Sequence, residues 1–127
     1  MGYLLDTHAI IWYFENSAEL PDEIEKIIDN PEVSIYICSV SLWEIAIKVS
    51  IGKLELQIPL NELLNHINNG DFNVLHIGDT HLNRLIDLPF IHKDPFDRLI
   101  ISSALVEGLT IITVDENIKK YNVPCIW

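Results

Sequence analysis

The sequence predicts an α/β three-layer sandwich, with a central, mainly parallel sheet flanked by helices. Three observations carry that expectation. Short apolar runs alternate with longer amphipathic ones along the whole chain. The short runs are apolar at every position instead of every second one, the pattern of strands buried on both faces beneath crossover helices. Gly and Pro are scattered singly, with no linker-like stretch and no internal repeat. The 127 residues are therefore expected to form one domain over 1–127.

Residues 3–5, ending at Asp6, read as a buried strand, and THAIIWYF from Thr7 as a helix that starts at once. Residues 21–28 (PDEIEKII) place acids in a first turn, where the helix dipole favours them, and set Ile24, Ile27 and Ile28 on one side. VSIYIC at 33–38 is β-branched and aromatic, so it reads as a strand. A helix follows over 41–51 with Gly52 as its stop, then another over 60–67 that ends near 68–70. Residues 72–77 suit a strand, and 79–88 a helix that Pro89 forbids from continuing. A helix over 96–106 with Gly108 beyond it leads to the buried strand LTIITV at 109–114. A short strand at 123–126 closes the chain. Trp12 and Trp43 lie among apolar neighbours and are expected in the core.

Hydrophobic residues make up 49% of the chain, enough for a core and against disorder. No apolar run reaches the ~18–20 residues that cross a membrane. The N-terminal MGYLLDTHAIIWYF lacks the basic region of a signal peptide and carries Asp6 at its middle. A soluble, cytoplasmic protein is expected. Cys38 and Cys125 are too few for a disulfide framework and are expected as buried, reduced thiols. The net charge is −11, from 19 acidic and 8 basic residues. Such a surface repels phosphate, which argues against simple adhesion to nucleic acid, and it suits a divalent cation or a basic partner.

In a parallel sheet, strand C-termini and the helix N-termini that follow them share one edge, and ligands bind there. Four acids sit at such ends. Asp6 follows the first strand and Asp115 follows LTIITV. Glu44 and Asp97 fall in the first turns of the helices after VSIYIC and after HKDP. Each has an ordinary alternative. Asp6 could cap the helix it precedes. Ser41 and Glu44 match a capping box, and Glu44 could pair with Lys48 one turn on. Asp115 could be a turn residue.

Asp97 is the hardest to explain away. With Asp94 as N-cap and Pro95 as first helical residue, the capping work is already done. Ile101, Ala104 and Leu105 then share the face of Asp97, so its carboxylate points at the core. An unpaired buried carboxylate must neutralise or find a cation. Lys48 and Arg98 are the nearest basic candidates, and Arg98 points about 100° away around the helix. A divalent metal is the better partner. An all-oxygen cluster selects a hard ion, Mg²⁺ or Mn²⁺. His8, His66, His76, His81 and His92 show no paired-ligand spacing, so no zinc site is expected. Like charges brought together raise the pKa of at least one member, so proton uptake is expected without metal.

Three blocks, LLDTHAIIWYF, SVSLWEIAIKVSIGKLEL and HKDPFDRLIISSALVEGLTIITVDENIKKYNV, resemble the PIN-domain family, and within it the VapC-type toxins of bacterial type II toxin–antitoxin systems. The resemblance runs over nearly the whole chain. It implies a PIN-like fold and an endoribonuclease that hydrolyses RNA phosphodiester bonds with Mg²⁺ or Mn²⁺, leaving 5′-phosphate and 3′-hydroxyl ends. The family's acids would fall on Asp6, Glu44, Asp97 and Asp115. Its small polar residue would be Thr7, Ser39 or Thr113. It implies a cognate antitoxin that blocks the site, and a homodimer to which Trp12, Trp43 and Trp127 could contribute. Lys48, Lys53, Lys93 and Arg98 are candidates to guide the RNA backbone, against the ordinary role of solvated charge. A catalytically silent, partner-binding PIN-like domain is the alternative. A phospho-acceptor receiver domain does not fit, because VSIYIC leads into Ser39 and LTIITV into Asp115. A haloacid-dehalogenase phosphatase would need Asp-x-Asp where the chain has Asp6-Thr7-His8.

Overall fold

The computed structural model describes residues 2–127. Its strands are β1 (Gly2–Leu5), β2 (Ser34–Cys38), β3 (Phe72–Leu75), β4 (Thr110–Ile112) and β5 (Cys125–Ile126). They form one sheet in the order β3-β2-β1-β4-β5, and every neighbouring pair is parallel. The helices are α1 (Thr7–Phe14), α2 (Asp22–Asp29), α3 (Ser39–Ser50), α4 (Leu60–Asn69), α5 (Asp79–Ile86), α6 (Pro95–Glu107) and α7 (Glu116–Lys119). The expected architecture is present, and the sheet among the described residues is parallel throughout.

Parallel strands need crossovers, and helical crossovers cover both faces of a sheet. Leu4 and Leu5 of the central strand are therefore both fully buried, on opposite faces. Leu5, Ile35, Ile37 and Ile112 pack with Ile10 of α1, Ile24 of α2, Ile45 of α3 and Leu63 of α4. Leu4, Cys38 and Ile111 pack on the other face with Ile100, Ile101 and Ala104 of α6 and Ile118 of α7. Two apolar layers around one sheet account for strands with no polar alternation.

Local chemistry sets the ends of the elements. Asp94 caps α6 and Pro95 is its first residue, where the missing N–H costs nothing. Gly108 ends α6 in the left-handed region at φ 67°, which a side chain would resist. α5 stops at Ile86, earlier than expected, with Asp87 at its C-cap. The strand expected over 109–114 pairs only over Thr110–Ile112, and its last residues turn into α7, a one-turn helix that apolar periodicity does not announce. The strands expected over 72–77 and 123–126 are likewise shorter. Among the described residues no helix is long and apolar enough to cross a membrane.

Leu5→Ala should lower the unfolding free energy by about 2–5 kcal/mol, because it opens a cavity under the central strand. Urea denaturation measures this; a loss below about 1 kcal/mol would contradict the packing described.

Candidate active site

The order in which strands are added reverses at β1. β2 and β3 lie on one side of it, β4 and β5 on the other. Connections diverge at such a point and leave a crevice beyond the strand ends. Asp6 leaves β1 at that crevice, and its amide still donates to the Ile112 carbonyl of β4 at 3.0 Å. The side chain is 3% exposed. Its Oδ1 accepts the Thr7 amide at 2.6 Å, which makes Asp6 the N-cap of α1. Its Oδ2 accepts the Thr113 hydroxyl at 2.8 Å. Burial pushes the carboxyl above its usual range; the Thr113 and Thr7 bonds and His8 oppose this, and Asp115 adds repulsion. Capping and membership of an acid cluster are here the same placement.

Glu44 is nearly as buried, but its setting differs from expectation. α3 follows β2 without a connecting loop and begins at Ser39, with Cys38 at the N-cap and no side-chain cap. No capping box forms at Ser41, and Glu44 lies in the second helical turn, not the first. Its Oε1 accepts the Thr7 hydroxyl at 2.7 Å and its Oε2 the Lys48 ammonium at 2.6 Å. The Ser41 hydroxyl lies 3.0 Å from that of Thr7. The bond to Glu44 raises the Lys48 pKa against desolvation, with further attraction from Glu44, Asp94 and Asp97.

Asp97 is the third residue of α6 and is buried, as its helical face predicts. Asp94 does the capping, accepting the amides of Phe96 at 2.9 Å and Asp97 at 3.0 Å. The side-chain partner of Asp97 is one that the sequence did not reveal. His92 Nε2 lies 3.1 Å from Asp97 Oδ2, and His92 Nδ1 lies 2.8 Å from the Tyr121 hydroxyl. The interval from His92 to Asp97 spans a helix start and matches no helical repeat, so no local pattern marks the pair. Burial pushes Asp97 up to about 7; the His92 bond opposes this, and repulsion from Asp94, Asp6 and Asp115 adds to it. Arg98 turns away as expected, donating to the Pro89 carbonyl at 2.9 Å and to Tyr121 at 3.0 Å. It is 8% exposed, which removes it from the candidates for guiding a substrate.

Asp115 is half-buried and caps α7, its Oδ1 accepting the Asn117 amide at 2.7 Å. Its own amide donates to the Thr113 hydroxyl at 3.0 Å. Thr113 thus joins Asp6 to Asp115, and Thr7 joins Asp6 to Glu44. Ser39, the third small polar candidate, makes no such bond; Ser41 stands near Thr7 instead. Two further expectations are corrected. Trp43 is 61% exposed and not in the core, because the face it shares with α6 is filled by Phe96. Cys125 is only partly buried, unlike Cys38.

Among the described residues no group of three or more His, Cys, Asp or Glu side chains is arranged to hold a metal ion unaided. The chemistry of the donors nevertheless fits a hard ion. They are all oxygen, and Asp6 and Asp115 both repel Asp97. Among the described residues no group donates to Asp97 Oδ1 or Asp115 Oδ2. Mg²⁺ keeps several waters and needs few direct carboxylates, so an open, partly hydrated site suits it better than a closed cage.

The PIN domain family model matches residues 3–124. Ribonuclease VapC22 of Mycobacterium tuberculosis is 24% identical over 126 residues, spanning 95% of this chain and 92% of that protein. In fold, the chain is similar to VapBC2 from Rickettsia felis, solved bound to a DNA fragment from their promoter. The TM-score is 0.76 at 18% identity, covering 100% of this chain and 99% of that one. A toxin-antitoxin complex from Klebsiella pneumoniae aligns with TM-score 0.64 at 17% identity, covering 98% and 96%.

The raised acids predict a pH effect. A carboxyl whose folded pKa exceeds its unfolded value of ~4 stabilises the fold below that value and loses the contribution as pH rises through the folded pKa. For Asp97 the window runs from about 4 to about 7. In metal-free protein, Asp97→Asn should gain stability over the parent as pH rises through this window. Paired urea melts would show it, and a pH-independent difference would contradict the raised pKa.

Proposed function

The chain belongs to the PIN-domain family, and from that premise we propose that it is a divalent-metal-dependent endoribonuclease that hydrolyses RNA phosphodiester bonds. We further propose that it is the toxin of a toxin–antitoxin pair, inhibited by its cognate antitoxin. The observation that carries this is electrostatic. Asp6, Asp97 and Asp115 come from three separate segments, and Asp115 repels the buried Asp6 while both repel Asp97. A fold gains nothing from such repulsion, whereas a cation site requires it. The likeness to Ribonuclease VapC22 supports RNA as substrate, and the likeness to a toxin-antitoxin complex supports the partner. The net charge of −11 suits a basic inhibitor. Residues 1–127 would act as one nuclease domain, in the cytoplasm and as a homodimer.

Asp6, Asp97 and Asp115 would hold Mg²⁺ or Mn²⁺, with Glu44 as the fourth acid of the site. When bound, the ion lowers the pKa of a coordinated water and neutralises charge on the phosphate. The chain's own groups supply the rest. Asp97 keeps His92 on Oδ2, and its Oδ1 has no donor among the described residues. That free oxygen can orient the attacking water and accept its proton. Thr7 and Thr113 fix Glu44 and Asp6, so neither acid has to reorganise as charge develops. Both oxygens of Glu44 are already engaged, by Thr7 and Lys48. Its role is therefore to hold the Lys48 ammonium beside the acids.

Incubation of purified protein with total RNA and Mg²⁺ should give cleavage that EDTA and Asp6→Asn both abolish. Asp97→Asn should slow it on the order of 10²–10⁴-fold. Cleavage that persists through chelation and Asp6→Asn would overturn the nuclease mechanism. A parent protein that cuts no RNA yet binds a basic antitoxin would favour the catalytically silent alternative.

A further inference from the structure

Two aromatic rings among the described residues are widely exposed, Trp43 at 61% and Phe90 at 72%. Their surroundings differ. Phe90 carries the Arg98 guanidinium 4.6 Å from its ring centroid. Trp43 has no cation over it. Its indole meets Phe96 at 5.5 Å between centroids and an interplanar angle of 75°, an edge-to-face contact that leaves most of the indole to solvent. Phe96 is itself partly buried against the second core layer, and its amide is tied to Asp94. A large flat ring is thus braced from below and open above.

The position of this ledge points to its ligand. Trp43 precedes Glu44 in α3, and Phe96 precedes Asp97 in α6. The two rings meet where the helices bearing two of the candidate acids meet. Charge cannot supply much affinity for a polyanion here: the net charge is −11, Arg98 is buried in internal bonds, and Lys48 is paired with Glu44. Base–aromatic stacking needs no cation and tolerates any sequence. We propose that Trp43, braced by Phe96, is a stacking platform for an unpaired nucleobase of the substrate, next to the bond that is cut. This rests on the ribonuclease reading above. A protein partner is the other class of occupant that an exposed tryptophan suits, and the test separates the two.

The test uses full-length protein carrying Asp6→Asn, to prevent turnover, and a short fluorescein-labelled single-stranded RNA of mixed sequence read by anisotropy. Trp43→Ala in that background should weaken binding roughly 5- to 150-fold, the span for losing one stacked base. Trp43→Phe should retain most of the affinity. The salt dependence should not change, because no phosphate contact is lost. The same RNA annealed to its complement should show no effect of Trp43→Ala. Unchanged affinity in Trp43→Ala, with the parent still cutting RNA, would overturn the platform alone. A shift in sedimentation with unchanged RNA affinity would overturn it too, and assign Trp43 to a protein–protein contact. No binding by the Asp6→Asn protein together with no cleavage by the parent would overturn the ribonuclease reading and the platform with it.

Discussion

A carboxylate cut off from water must be met by donors or give up its charge. At Asp6 that demand is answered from both sides of the point where the strand order reverses. The amide of Thr7 meets one oxygen at the head of α1, and the Thr113 hydroxyl meets the other from beyond β4. The parallel register makes this possible. Leu5 pairs with Ile37 on one side and Ile112 on the other, so three strands finish level and their following residues share one edge. Remove the register and the Thr113 hydroxyl no longer faces Asp6.

Helix geometry offsets part of the cost of gathering anions there. Asp6, Asp94 and Asp115 each cap a helix, α1, α6 and α7 in turn. All three N-termini therefore open towards the same edge, and each contributes about 0.3–1 kcal/mol of favourable dipole interaction with a nearby anion. That does not balance several buried like charges. Burial first, and repulsion after it, holds the Asp6 and Asp97 carboxyls above their usual range. Lys48 answers part of the repulsion by its bond to Glu44. What is left is a set of neighbouring carboxylates in a protein with 8 basic residues against 19 acidic ones.

A second network keeps Asp97 in place. Tyr121 meets both His92 and Arg98, and Arg98 also holds the Pro89 carbonyl. The segment that enters α6 is thereby tied to the connection between α7 and β5. His92 is presented to Asp97 by this scaffold and not by its own helix, so the charge state of the site depends on residues more than twenty positions apart. Arg98 serves as an internal brace, a use that a guanidinium's fixed fork of donors suits.

Much of this was legible in the residues. Fully apolar runs such as YLL and LTIITV announced strands buried on both faces, and Asp94-Pro95 announced the start of α6. The apolar companions of Asp97 announced that it would be buried. These features are local or periodic, and chain geometry alone dictates them. Other features had no local signature. α3 starts at Ser39 because it runs straight out of a paired strand, which displaces Glu44 by most of a turn from where a capping motif would put it. Trp43 lies outside the core because its fate depends on how α3 meets α6, not on its neighbours in the chain. His92 reaches Asp97 only because Tyr121, from the far end of the chain, holds it there. Sequence periodicity determined which faces are buried and which ends carry acids. Tertiary packing decided the distant partners, Thr113 for Asp6, Thr7 for Glu44 and the Tyr121-held His92 for Asp97, because proximity between distant segments is set only when the layers close.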